Sequence, residues 1–214
     1  MGMHYGFVAV TATAEEFEQV FSEIWPALER INTAILPSLE AYFAWKASNE
    51  RFVPSKDWTP ENTGAEVYGF LQDGKWSVLL DHSYVLSSDS DALIKLSDLF
   101  GTCITFILET SGGTTSFAFY RQGKLIRQID NCDGEISLEG VQLPEEIGLQ
   151  IQQFYIEEAI ELQKRLGFRF LSDVPPNTII AIATIDRTDY SSVLQQQEVQ
   201  VAPNSRCKPW WKFW

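Results

Sequence analysis

Between residues 65 and 140 the chain places short runs of β-branched and aromatic residues between glycine-bearing pairs. AEVYGFLQ, Asp73-Gly74 and KWSVLLD come first; GTCITFILE, Ser111-Gly112-Gly113, TTSFAFYR, Gln122-Gly123, KLIRQID, Asp133-Gly134 and EISLEG follow. Glycine supplies the positive φ that two- and three-residue hairpin loops require. Loops this short join antiparallel neighbours and cannot carry the long crossover of a parallel pair. The region therefore reads as hairpins and a meander, with EISLEG as an edge strand and Asp73-Gly74 as the centre of a type I′ turn. In TTSFAFYR, alternation sets Phe117, Phe119 and Arg121 on one face and Ala118 and Tyr120 on the other.

The flanking segments add helices. HYGFVAVT, residues 4–11, reads as a first strand. Thr13 and Glu16 form a capping box, and Phe17, Val20, Phe21, Ile24 and Trp25 follow at helical spacing up to Pro26. Leu28, Ile31 and Ile35, then Leu39, Tyr42 and Phe43 after Pro37, repeat that spacing and predict one or two further helical pieces to about Ser48. RFVPSKDWTPENTG, residues 51–64, has no period and predicts a long loop, either a cover over one face of the sheet anchored by Trp58 or a binding loop. Ser88 and Asp91 predict a capping box before ALIKLSDLF, which Gly101 ends. Residues 154–166 predict a last helix with Tyr155, Ala159, Leu162 and Leu166 on one face, Glu161 paired to Arg165 and Gly167 as its stop. TIIAIATI reads as a final strand. The expected fold is α+β, an antiparallel or mixed sheet built from hairpins and a meander with helices packed mainly on one face. Residues 1–186 make one domain, and 187–214 a C-terminal extension expected to pack on it.

Charge narrows the partners. The 214 residues carry a net charge of -13, and residues 1–100 hold 6 Lys+Arg against 15 Asp+Glu. That field repels phosphate backbones and anionic membranes, so nucleic acid is not an expected partner and a basic protein is. Cys103, Cys132 and Cys207 have no paired spacing and read as neither a disulfide framework nor a thiolate zinc site. MGMHYGFVAV does not read as a secretory signal and no apolar run approaches the length of a membrane span, so the cytoplasm is the expected compartment.

Few residues carry a chemical signature. Asp81-His82-Ser83 names the three members of a hydrolase triad, but alternation on a strand would send His82 to the opposite face from the other two. With two histidines in the chain, a His-rich metal site is excluded, and neither a metal nor a cofactor is expected. Asp130 to Glu135 resembles part of a calcium loop, yet Gly134 in the glycine position puts Ile129 first and Gly140 twelfth, which no EF-hand allows. Ser111 to Ser116 lacks the lysine of a phosphate loop and joins two strands. Cys103 lies in an apolar strand and reads as core. What is left for catalysis is His82, Glu109 and Arg121, three isolated candidates for a small-molecule hydrolase or transferase.

Two surface features favour binding instead. Glu15, Glu16, Glu18 and Glu23 make an acidic strip on the first helix. CKPWWKFW, at residues 207–214, gathers Trp210, Trp211, Phe213 and Trp214 with two lysines, the residue types that anchor interfaces. The segment would pack on its own domain, seal a homodimer or dock on another partner.

WSVLLDHSYVLSSDSDALIKLSDLF, TSFAFYRQGKLIRQID and DGEISLEGVQLPEE together resemble bacterial domains of unknown function, some of them similar to immunity-type proteins. The resemblance spans roughly residues 65–170 and rests on structural residues. It implies no catalytic residue. The reading that fits the charge is an acidic, cytosolic binding protein, monomeric or homodimeric, expected to neutralise or scaffold another protein.

Overall fold

The computed structural model describes residues 4–53, 64–109, 112–169 and 178–187. They form one antiparallel sheet of nine strands: β1 His4–Val10, β2 Leu28–Leu36, β3 Glu66–Asp73, β4 Trp76–Leu80, β5 Thr102–Glu109, β6 Thr114–Arg121, β7 Lys124–Cys132, β8 Glu135–Gly140 and β9 Ile179–Asp186. Four helices accompany it: α1 Ala14–Ile24, α2 Leu39–Asn49, α3 Ser90–Phe100 and α4 Ile156–Leu166. The order across the sheet is β2-β9-β3-β4-β1-β5-β6-β7-β8. The fold is α+β, and β5 to β8 form the expected meander, with a bulge between Phe119 and Tyr120 in the β6–β7 pairing.

The helices divide between both faces rather than gathering on one. Tyr42 of α2 and Ala159, Leu162 and Leu166 of α4 pack with Phe7, Phe106 and Phe117. Phe17 and Phe21 of α1 and Leu93 and Leu96 of α3 pack with Val8, Phe70, Leu79 and Tyr120 on the other side. The cause is in the central strands, which are apolar at both parities: Phe7, Val8, Ala9 and Val10 are all fully buried. A strand of that kind needs cover above and below.

Turn and cap chemistry fixes the joints. Gln122-Gly123 and Asp133-Gly134 carry positive φ at both positions, as type I′ turns do. The β3–β4 hairpin differs from expectation, because Asp73 pairs with Trp76 and the loop is Gly74-Lys75. Only Gly74 of those two has positive φ, at 60°, which fits type II′. The Thr13–Glu16 capping box is present, Thr13 N–H donating to Glu16 Oε2 at 2.8 Å and Glu16 N–H to Thr13 Oγ1 at 3.1 Å. At α3 the cap is Asp89, which accepts from Ala92 N–H, one residue beyond the expected Ser88. At α4 Tyr155 stands exposed outside the buried face, while the Glu161–Arg165 pair and the left-handed Gly167 occur where expected.

The main correction is β2. Leu28, Ile31 and Ile35 fit a helical spacing, but the segment is a strand paired with β9. Its β-branched content, Ile31, Thr33 and Ile35, suits extended backbone better than a helix. Among the described residues it is the last strand of the sheet, so it has no second neighbour and only a shallow apolar imprint.

Candidate functional site

Two places combine burial or exposure with polar chemistry in a way the fold alone does not require. The first is the crossing from β4 to α3. β4 ends at Leu80, and Asp81 turns its fully buried carboxylate onto the chain that follows. Ser87 N–H and Ser87 Oγ–H both donate to Asp81 Oδ2 at 2.8 Å. Ser83 Oγ lies 2.9 Å from Asp81 Oδ1 and also 3.1 Å from Glu66 Oε2, at the start of β3. Tyr68 O–H donates to the same Glu66 oxygen. One serine hydroxyl thus bridges two carboxyl groups. Burial raises the titration of both, and at Glu66 the Asp81 and Asp186 charges push the same way.

The backbone around this cluster is unusual. Tyr84 adopts φ 63°, a left-handed conformation that bulky residues rarely take. Its ring is buried and its hydroxyl donates to the Leu108 carbonyl at 3.3 Å. Gly6 on β1 makes the approach possible: a Cβ there would stand 2.7 Å from Tyr84 Cδ1 and 2.8 Å from the Asp81 carbonyl oxygen.

Of the Asp81-His82-Ser83 triplet, the structure joins Asp81 to Ser83 and sends His82 the other way, as alternation suggested, although all three lie beyond the strand end. The His82 ring packs against Tyr42 and Phe43 of α2, at centroid distances of 6.2 and 5.6 Å. Glu109 closes the end of β5, accepting from Gly112 N–H at 2.9 Å, and its charge adds to burial in raising the Tyr84 phenol. Arg121 is at the far end of the same hairpin, paired with Thr102 whereas Glu109 pairs with Thr114. It lies over the Phe119 ring at 5.1 Å. His82, Glu109 and Arg121 are therefore not convergent. Cys103 is fully buried, and burial pushes its thiol well up, as a core residue requires. Among the described residues no group of three or more His, Cys, Asp or Glu is arranged to hold a metal ion.

The second place is the β2 flank. Ile35 is 75% exposed and Ile31, at a bulge between Arg30 and Asn32, is 48% exposed. The register puts Ile35 and Thr33 on the α1 side, opposite Ile180 and Ile182, and Asn32 on the α2 side, where it donates to Asn49. Phe43 of α2 is 48% exposed. The acidic strip of α1 is partly spent on structure: Glu16 caps the helix and Glu18 pairs with Arg30 of β2. Glu15 and Glu23 are exposed.

Trp210, Trp211, Phe213 and Trp214 lie outside the described residues, as do Trp58 and Cys207. Sequence reasoning misses Glu66. Its signal is an acid two residues before a tyrosine, ahead of an apolar run, where alternation puts both on one face. Comparisons with protein-family models, curated proteins and solved structures find no match to this chain.

Proposed function

We propose that the chain is an acidic protein-binding domain of the neutralising or scaffolding, immunity-like kind, and that its partner is a basic protein docking an extended segment on β2. The observation that supports this reading is the β2 flank itself, an end strand carrying exposed Ile31 and Ile35 beside an acidic helix. Backbone pairing along such an edge supplies affinity, and side-chain anchors on alternating positions supply specificity. Sheet edges left apolar invite association, which natural proteins normally suppress with lysine or proline. β2 has neither; its one cation, Arg30, is engaged by Glu18. The net charge of -13 steers basic partners toward the domain and repels acidic ones.

A short peptide alternating Lys and Val tests this, with a Glu/Val peptide and a proline-interrupted Lys/Val peptide as controls. Binding is followed by amide shifts in two-dimensional NMR. The expected result is salt-sensitive binding of the uninterrupted Lys/Val peptide alone, with shifts along β2 and at Glu15 and Glu23, abolished by Ile35→Lys. Equal behaviour of all three peptides, or shifts elsewhere, would overturn the reading. A dimer in light scattering that Ile35→Lys converts to monomer would replace the foreign partner by a second copy.

A further inference from the structure

Ser83 owns one hydroxyl hydrogen, yet its oxygen stands at bonding distance from two carboxyl oxygens. If both acids were ionised, one of these contacts would set a lone pair against a carboxylate oxygen with no hydrogen between them. Nothing positive relieves that clash: among the described residues neither Glu66 nor Asp81 forms an ion pair. The donors are unevenly shared. Asp81 accepts from Ser87 N–H, Ser87 O–H and Ser83, whereas Glu66 accepts from the Tyr68 phenol on the one oxygen that meets Ser83. The carboxylate that receives more hydrogen bonds, Asp81, keeps the charge.

We propose that Glu66, Ser83 and Asp81 hold one proton in a directed chain, Glu66 as the acid donating to Ser83 and Ser83 donating to the Asp81 carboxylate, and that loss of this proton loosens the 81–89 crossing. Deprotonation leaves two like charges on either side of one hydroxyl. The segment that must give is the one already in a sparsely populated conformation at Tyr84.

The surrounding groups act in the same sense. Asp186 of β9 and the Tyr68 phenol face Glu66; Glu50, which caps the end of α2, acts on Tyr42, and Glu109 of β5 on Tyr84. His82 is turned onto Tyr42 and Phe43, and Asp89 of the crossing accepts from the Trp25 indole at 3.1 Å. Arg30 is committed to Glu18, and Arg187 pairs with Glu29 at 2.7 Å. A group held neutral by the fold contributes stability below its unfolded titration range, and that contribution is lost as pH rises through its folded value.

The test is thermal unfolding of the full chain from about pH 5 to about pH 8, beside Glu66→Gln and Asp81→Asn, with carboxyl-carbon NMR of labelled glutamate. An amide nitrogen donates to Ser83 as the protonated acid does, with the Tyr68 hydroxyl turning to accept its second N–H, so Glu66→Gln should keep its midpoint at low pH and lose about half or more of the parent's fall toward pH 8. Taking the difference between variants cancels Glu16, whose capping-box bonds lower its titration and whose contribution is lost in the opposite direction, on acidification. In the NMR titration one glutamate should change protonation above all the others and vanish in Glu66→Gln. Parallel pH profiles for parent and Glu66→Gln, or no glutamate titrating above the common range, would overturn the proposal. The NMR arm stands even if Asp81→Asn fails to fold.

Discussion

Of the buried carboxyl groups among the described residues, Glu146 and Asp81 are built into the fold on opposite plans. On β7, Arg127 donates through Nε to Glu146 Oε1 at 3.0 Å and through Nη2 to Glu146 Oε2 at 2.9 Å, while Leu143 N–H adds a bond to Oε1 at 2.9 Å. Glu146 and Asp81 are both fully buried. Glu146 faces a guanidinium and pins the Leu143–Glu146 turn to the sheet; Asp81 faces another acid through a serine. Burial is thus the same in the two cases, and the sign of the neighbour decides what the group becomes. The first is a rivet that needs no shared proton. The second is a site whose charge the fold must manage, and its surroundings carry the strained Tyr84 and the close-packed Gly6.

Glu146→Ala strands a buried guanidinium. It should cost about 3–5 kcal/mol, read in urea unfolding. Replacing both partners, Arg127→Met with Glu146→Leu, should recover most of that loss, because removing a buried pair outright is far cheaper than halving it. A double variant as unstable as the single one would mean that the fork orders the turn rather than merely balancing charge. Asp81→Asn comes next, at about 1–3 kcal/mol in the same measurement. An amide can satisfy the Ser87 donors with its oxygen but must then present N–H groups to the Ser83 side, where the carboxylate accepted. If Asp81→Asn costs nothing, its carboxyl is already neutral and the direction of the proton chain is reversed.

The sequence reveals these two sites unequally, for a physical reason. Hairpin glycines, the Thr13–Glu16 box and the apolar face of α4 are local signals, and such signals mark most of the strands and helices in place. β2 reads wrongly because an edge strand lacks the buried face that produces alternation, so three apolar residues at chance helical spacing outweigh Ile31, Thr33 and Ile35. The two-sided cover of the sheet is legible in FVAV, apolar at consecutive positions, but hairpin topology points to one face. Asp81 and Ser83 stand out in the sequence beside the wrong partner, His82. Glu66 meets Ser83, 17 positions along the chain, only because β3 pairs with β4, with Gly69 opposite Leu80. Arg127 of β7 meets Glu146 because β8 pairs back along β7, with Gly140 opposite Arg127 just before the Leu143–Glu146 turn.

The smallest expected effect is the sharpest on the unlike site. Ser83→Ala removes one half-buried hydroxyl and should cost about 0.5–1.5 kcal/mol. The informative quantity is whether that cost changes in a Glu66→Gln background. Near pH 5, where exposed glutamates are already ionised, a protonated Glu66 and a glutamine offer Ser83 the same thing, a donor. The two costs should then agree, with a coupling below about 0.5 kcal/mol. At higher pH the parent's Glu66 becomes an acceptor while the glutamine remains a donor, so the hydroxyl does different work in the two backgrounds and the coupling should grow to about 1 kcal/mol or more. The Arg127–Glu146 fork, probed by Arg127→Met and Glu146→Leu, should instead show large coupling near pH 5 as well, since each partner is stranded by loss of the other. A Ser83–Glu66 coupling that is large at pH 5 and constant with pH would make the two sites alike, with Glu66 ionised in both limits and no proton in the chain.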